Sequence, residues 1–274
     1  MSALHLAAFN GHEQEVHLIL GGDESDVNTP DDTGIYPVIW ASLNGHDRTV
    51  ELLLDRGADV NAQGGYHGNA LQAACAKGHD KIAQILLERG ADVNAQGSEY
   101  GNALQAACAK GHDKIAQILL ERGADVNAQG SEYGNALQAA CSSGHDTIAQ
   151  MLLERGADVN AQGGEYGNAL QAACSSGHDT IAQILLERGA DVNAQGGYHR
   201  NALQAACAKG HDKIAQILLE RGADVNAQGG VYGNTPQAAR RGGQHSIVKL
   251  LQGQHCPDQS TSQPPPSKRL KVSS

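Results

Sequence analysis

Residues 68–100 read GNALQAACAKGHDKIAQILLERGADVNAQGSEY, and this stretch of 33 residues sets the architecture of the chain. Four further copies follow without a gap, at 101–133, 134–166, 167–199 and 200–232. Of the 33 columns in this alignment, 25 are identical in all five copies. A fixed period of this length indicates a repeat architecture, in which each unit packs on its neighbours.

Each copy predicts two short helices. The first follows Asn69, a favourable N-cap residue, and ends at Gly78. The second ends before Gly90, which suits the left-handed backbone that follows many helices. Apolar residues recur in both segments at helical spacing, and they include Leu71, Ala74, Cys75, Ile82, Ile85 and Leu86.

Degenerate copies flank the five central units, at 2–33, 34–67 and 233–252. Residues 1–252 therefore form one predicted repeat domain of about seven and a half units. Residues 253–274 are rich in Ser, Gln and Pro and are predicted to be a disordered tail. Aromatic residues make up only 3% of the 274 residues, which fits thin layers between repeats better than one thick core.

The motif Ala-Leu-Gln-Ala-Ala…Gly-His…Ile…Leu-Leu…Gly-Ala-Asp-Val-Asn-Ala, at 70–95, resembles an ankyrin repeat. The resemblance covers residues 2–252. It implies an all-α solenoid of stacked helix pairs, with β-hairpin or turn fingers that project between units and a concave face. The family opens its first helix with Thr-Pro-Leu-His, whereas the central units have Asn-Ala-Leu-Gln. Asn69 and Gln72 are expected to replace the missing hydrogen bonds.

Regularly spaced Cys and His residues invite a metal or disulfide interpretation, but the spacing favours structural roles. Helices in adjacent layers lie about 8–10 Å apart, whereas a disulfide needs Cα atoms about 4.4–6.8 Å apart. Five cysteines are therefore predicted to be buried free thiols, typical of a reducing compartment: Cys75, Cys108, Cys141, Cys174 and Cys207. The tail residue Cys256 has no evident partner. The resemblance implies that the His after each Gly bonds a neighbouring unit's backbone.

Catalytic and cofactor motifs are missing from the sequence, so we predict a protein without enzymatic activity or cofactor. The net charge of −10 argues against direct nucleic-acid binding. No apolar run approaches the roughly 18 residues of a membrane span, and the N-terminus does not resemble a secretory signal. We therefore expect an intracellular protein, cytoplasmic or nuclear, that is monomeric and binds other proteins.

Eight columns of the alignment differ among the five central units. Seven of these columns are expected at exposed rims, where a partner would bind. Six tyrosines form a predicted row at the finger tips, where they either meet a partner or pack finger against finger. Free drift of exposed positions is the alternative. The candidate partner-binding residues are Tyr66, His67, Lys77, Glu99, Tyr100, Lys110, Glu132, Tyr133, Glu165, Tyr166, Tyr198, His199, Arg200 and Tyr232.

The prediction for function is a non-catalytic scaffold that binds a protein through its fingers and concave face. One alternative is the recognition array of a larger receptor, because the near-identical units resemble arrays of fungal STAND-type proteins. A second alternative is a nuclear regulator that masks a transcription factor. It rests on Lys268, Arg269 and Lys271, a basic cluster after prolines that resembles a nuclear import signal.

Overall fold

The computed structural model describes residues 1–22, 27–97, 99–130 and 132–253, and within these ranges the secondary structure is helical, without strands. The first helices of successive units are α1 (Ala3–Asn10), α3 (Pro37–Leu43), α5 (Ala70–Lys77), α7 (Ala103–Lys110), α9 (Ala136–Ser143), α11 (Ala169–Ser176), α13 (Ala202–Lys209) and α15 (Thr235–Arg241). The second helices are α2 (Glu13–Leu20), α4 (Asp47–Asp55), α6 (Asp80–Glu88), α8 (Asp113–Glu121), α10 (Asp146–Glu154), α12 (Asp179–Glu187), α14 (Asp212–Glu220) and α16 (His245–Gly253).

The helices form two layers that run the length of the array. Each first helix packs against the first helices of the adjacent units, and the second helices pack on one another in the same order. Small residues fill the space between units, as Ala74 and Cys75 show by being fully buried. This arrangement confirms the all-α solenoid of stacked helix pairs, and it explains why the chain needs so few aromatic residues.

Asn69 and Gln72 cap the first helix and hold the next finger. The Asn69 Oδ1 accepts the backbone N–H of Gln72 at 2.9 Å, and the Gln72 Oε1 accepts the backbone N–H of Asn69 at 3.1 Å. The Gln72 Nε2 then donates to the carbonyls of Ala95 and Gly101 at 2.7 and 3.3 Å. The expected replacement of the Thr and His contacts is therefore confirmed.

The Asn of the Gly-Ala-Asp-Val-Asn motif joins each unit to the next. Asn94 accepts the backbone N–H of Asp125 at 2.8 Å and donates to the carbonyl of Gly123 at 3.3 Å. Because this side chain satisfies a donor and an acceptor of the following turn, it fixes the register between units. The same pair of contacts is made by Asn28, Asn61, Asn127, Asn160 and Asn193.

The repeated Gly-His pairs also have a structural role. The His79 Nε2 lies 3.2 Å from the carbonyl oxygen of Leu43 in the preceding unit. Its ring covers Gly45, whose φ is +83° and where a Cβ would lie 2.7 Å from the His79 Cε1. Only glycine fits this position without displacing the ring. Equivalent contacts to the preceding unit are made by His46, His178 and His211.

The five repeated cysteines are free thiols in fully buried positions. Burial raises their pKa, to about 12 for Cys207, so that each stays protonated at neutral pH. This confirms the prediction that they act as small apolar residues between helix layers.

Replacing Cys141 with Ser is therefore expected to lower the free energy of unfolding by about 1–3 kcal/mol, because a hydroxyl enters an apolar layer. Urea unfolding followed by circular dichroism measures the change. Cys141→Ala, which adds no polar atom, is the matched control and should have the smaller effect. A change near zero for the Ser variant would mean that water reaches this layer.

The fingers are tighter than a regular hairpin. Each described finger is a turn, and isolated antiparallel bridges rather than strands close several of them. These bridges join Gly130 to Gly134, Gly163 to Gly167, Gly196 to Arg200 and Gln228 to Asn234. The prediction allows fingers that are either β-hairpins or turns, and the described fingers are turns.

Candidate protein-binding face

The predicted row of six tyrosines separates into two columns at the finger tips. Tyr66 and Tyr198 stand one residue earlier than the other four, with His67 and His199 behind them. We call the first set the outer column: Tyr66, Glu99, Glu132, Glu165, Tyr198 and Val231. The second set is the inner column: His67, Tyr100, Tyr133, Tyr166, His199 and Tyr232.

The inner column packs finger against finger. The rings of Tyr100 and Tyr133 are stacked with centroids 6.4 Å apart, and those of His199 and Tyr232 with centroids 5.8 Å apart. His199 is only 8% exposed, so it offers little surface to a partner. Burial, followed by a hydrogen bond with Glu99, raises the pKa of Tyr100. The tyrosine row is predicted either to meet a partner or to pack finger against finger. The rings of the inner column do pack finger against finger.

The outer column faces solvent. Tyr66 is 66% exposed and Tyr198 is 54% exposed. Its backbone links adjacent fingers, because the Glu165 N–H donates to the carbonyl of Glu132 at 2.9 Å and the Tyr198 N–H to that of Glu165 at 3.1 Å. These bonds hold the fingers at a regular spacing, and the Tyr66 hydroxyl also donates a hydrogen bond to the Glu99 carboxylate of the next finger.

Three exposed lysines end first helices beside the inner column. The Lys110 Nζ lies 5.2 Å from the centroid of the Tyr100 ring, within range of a cation–π contact. Burial, and secondarily a nearby lysine, lowers the pKa of both His67 and His199. That lysine is Lys77 for His67 and Lys209 for His199. Serine takes the lysine position at 143 and 176.

These residues share one side of the array, which we call the finger face. It consists of the outer column, the inner column and the ends of the first helices at Lys77, Lys110, Ser143, Ser176 and Lys209. The histidines of this face are largely neutral at pH 7, since their pKa values are lowered. The lysines therefore supply its positive charge.

Two of the variable columns are not at an exposed rim, which corrects the expectation for seven of the eight. Gly68 is buried, because the side chain of Gln72 crosses it. Ala76 is 7% exposed, and Ser175 at the equivalent position is 8% exposed. Substitutions in these two columns therefore change packing more than surface.

Arg200 is the exception in the buried glycine column. It has a φ of +76°, in the left-handed region where a Cβ causes strain. The buried Gln204 Oε1 has no hydrogen-bond partner, whereas Gln72 and its counterparts accept a backbone N–H with that atom. The sequence signal for this lost hydrogen bond is a lone arginine in a glycine column, directly before the N-cap residue Asn201.

The second helices carry a different lysine column, on the opposite layer. Lys81, Lys114 and Lys213 each form an ion pair with an aspartate of the preceding unit. These hydrogen-bonded lysines lower the pKa of Asp47, Asp80 and Asp179. Opposite charges in adjacent columns, 34 residues apart, were the sequence signal for these pairs.

Throughout the portion that the structure describes, no three His, Cys, Asp or Glu residues are grouped so that they could hold a metal ion. Within that same portion, no helix combines the length and apolarity needed to cross a membrane.

The repeat units match the family described as Ankyrin repeats (3 copies), at residues 4–97, 96–163 and 160–229. The chain belongs to the ankyrin repeat family. Ankyrin repeat domains are generally protein–protein interaction modules, and the fold is typically non-catalytic. The ankyrin repeat domain of human ASB11 has a similar structure, with a TM-score of 0.71 and 26% sequence identity. The match covers 82% of this chain and 99% of that domain.

Curated relatives share shorter segments. The chain is 40% identical over 65 residues to the palmitoyltransferase akr1 of Schizosaccharomyces pombe, and 38% identical over 85 residues to the E3 ubiquitin-protein ligase XBAT32 of Arabidopsis thaliana. These segments cover 24% and 22% of this chain, and only 10% and 17% of the two relatives. In such proteins the repeats are one part of a longer chain.

Proposed function

We propose that this ankyrin repeat protein is a non-catalytic scaffold that binds another protein through its finger face. The observation that carries the proposal is the position of the differences between units that are otherwise nearly identical. Side chains vary most in the outer column and at the ends of the first helices, and both sets lie on the finger face. One copy of the chain supplies this whole face, so a monomer suffices.

A protein partner fits this face better than a nucleic acid does. A nucleic acid carries a phosphate at every nucleotide, so it would place several of them against the outer-column carboxylates of Glu99, Glu132 and Glu165. The exposed tyrosines of the outer column, Tyr66 and Tyr198, are residues that recur at protein interfaces. The backbone hydrogen bonds between fingers keep these side chains in a fixed order, which lowers the entropy lost on binding.

Capture of a partner by the immobilised full chain, followed by calorimetry with the purified partner, tests this function. Combined alanine substitution of the outer column should weaken binding by at least about tenfold, since buried tyrosine contacts dominate interfaces. The matched control replaces exposed glutamines of the second helices with alanine: Gln84, Gln117, Gln150 and Gln183. A partner that is lost with the control variant but kept by the outer-column variant would contradict the proposal.

A second candidate is that the array is the recognition part of a larger receptor, such as a STAND-type protein. The curated relatives support it, because they hold matching repeats within much longer chains. Sequencing of the locus upstream of Met1 is the test. A continuous reading frame with a nucleotide-binding domain would support this candidate, and a stop codon with a promoter would oppose it.

For localisation we propose the cytoplasm or the nucleus, because five buried thiols suit a reducing compartment. The basic cluster of Lys268, Arg269 and Lys271 lies outside the described residues, and it is the basis for proposing a nuclear regulator. Fusion of residues 253–274 to a fluorescent reporter tests the import signal. A reporter that never concentrates in nuclei would remove the support for nuclear import.

A further inference from the structure

The chain has two columns of three lysines each, and they differ in whether the lysines form ion pairs. Lys81, Lys114 and Lys213, on the second helices, are each paired with an aspartate of the preceding unit. Lys77, Lys110 and Lys209, on the finger face, have no carboxylate within ion-pair distance among the residues that the structure describes. The first column therefore joins units, whereas the three lysines of the second form no ion pair within the described part of the chain.

One cation of the finger face is held over an aromatic ring. The Lys110 Nζ lies 5.2 Å from the centroid of the Tyr100 ring, and Lys77 and Lys209 occupy the equivalent exposed position at the end of their own first helices. A lysine stem that packs along a ring keeps its ammonium group at the surface and limits its motion. Lys110 therefore offers a positioned positive charge next to an aromatic ring, and Lys77 and Lys209 offer exposed charges at the same place in their units.

We propose that the finger face recognises an extended acidic segment of a protein partner, with its carboxylates on Lys77, Lys110 and Lys209. This inference rests on the proposed function and adds the chemistry of the partner. The chain as a whole carries a net charge of −10, so an acidic segment is attracted only where lysines are unpaired. Charge complementarity thus confines the carboxylates of such a segment to these three lysines, because Glu99, Glu132 and Glu165 of the outer column repel them elsewhere on the face.

The positions of the lysines set a spacing for the partner. Adjacent first helices lie about 8–10 Å apart, so Lys77 and Lys110 are separated by roughly that distance. Lys209 is three units beyond Lys110, or about 24–30 Å away. An extended chain advances about 3.3 Å per residue, which places its acidic residues about three positions apart and then about eight positions further on.

The middle of the face requires different contacts. Between Lys110 and Lys209 the helix ends carry Ser143 and Ser176, beside Tyr133 and Tyr166 of the inner column. Hydroxyl groups and partly exposed rings suit polar or aromatic residues without net charge. The predicted segment is therefore acidic at both ends and neutral in the middle.

A selection from phage-displayed random peptides of about 16 residues, which span roughly 50 Å when extended, tests the proposal. The full chain is the target. Two variants have the same net charge, because each loses three lysines: K77S/K110S/K209S and K81T/K114T/K213T. Serine and threonine already occupy these columns at 143, 176, 147 and 180, so the fold accepts both variants. Circular dichroism confirms their helix content.

We expect the selected peptides to be enriched in Asp and Glu at the stated spacing. Their Kd should rise about tenfold for K77S/K110S/K209S and less than about twofold for K81T/K114T/K213T. Peptides without acidic enrichment, equal weakening by both variants, or no binders at all would overturn the proposal. Binders that ignore the lysines but are lost with the outer-column variant would overturn it while leaving the proposed function intact. Binders affected by neither change would contradict both.

Discussion

Replacing Gln138 with Ala is expected to lower the free energy of unfolding by about 3–5 kcal/mol. The side chain is fully buried, and its Nε2 donates to the carbonyls of Ala161, Gly163 and Gly167 at 3.0–3.3 Å. Its Oε1 accepts the backbone N–H of Asn135 at 3.0 Å. Alanine would leave these groups unpaired within the protein, and each loss costs about 1–3 kcal/mol.

Urea unfolding of the full chain measures this effect, with Gln150→Ala as the matched control. Gln150 lies exposed on the second helix of the same unit, so its replacement should change stability by less than about 0.5 kcal/mol. Equal effects of the two substitutions would contradict the view that the glutamine of the first helix holds the finger.

Replacing Arg200 with Gly is expected to raise the free energy of unfolding by about 2–4 kcal/mol. Arginine has a φ of +76° there, a conformation that glycine adopts without strain. Removing its Cβ also lets Gln204 accept the backbone N–H of Asn201, the contact that the unit at 200–232 lacks. Relief of strain and recovery of a buried hydrogen bond contribute similar amounts.

The reciprocal substitution supplies the control for Arg200. Gly167→Arg places a Cβ 2.1 Å from the Gln171 Oε1 at a φ of +97°, and it should destabilise the chain by a comparable amount. Thermal unfolding of both variants beside the natural chain compares them directly. A natural chain more stable than Arg200→Gly would show that the hydrogen bond from the Arg200 guanidinium to the Gln195 Oε1 outweighs the backbone strain.

The helices could be predicted from the sequence because their limits are local. Asn69 and Gly78 bound the first helix in the structure as they do in the sequence pattern, since capping and left-handed glycine depend on adjacent backbone alone. The repeat period then determined the stacking of units. The structural role of the cysteines followed from the same regularity, and the backbone contacts of the histidines followed from the resemblance to ankyrin repeats.

The finger face was predictable only in part, because its arrangement depends on contacts between units. The sequence placed Tyr66 and Tyr100 in one row, yet a shift of one residue gives Tyr66 an exposed position and Tyr100 a stacked one. Likewise, Lys81 forms an ion pair with Asp47 of the neighbouring unit, whereas Lys77 has no such pair among the described residues. Such differences appear only when adjacent units are in contact.

A crystal structure of the full chain with a peptide selected by it tests the central claim most directly. The account predicts an extended peptide along the finger face, in contact with the outer column and with carboxylates near Lys77, Lys110 and Lys209. A peptide seated on the exposed side of the second helices, with these lysines and the fingers in contact with solvent alone, would contradict it.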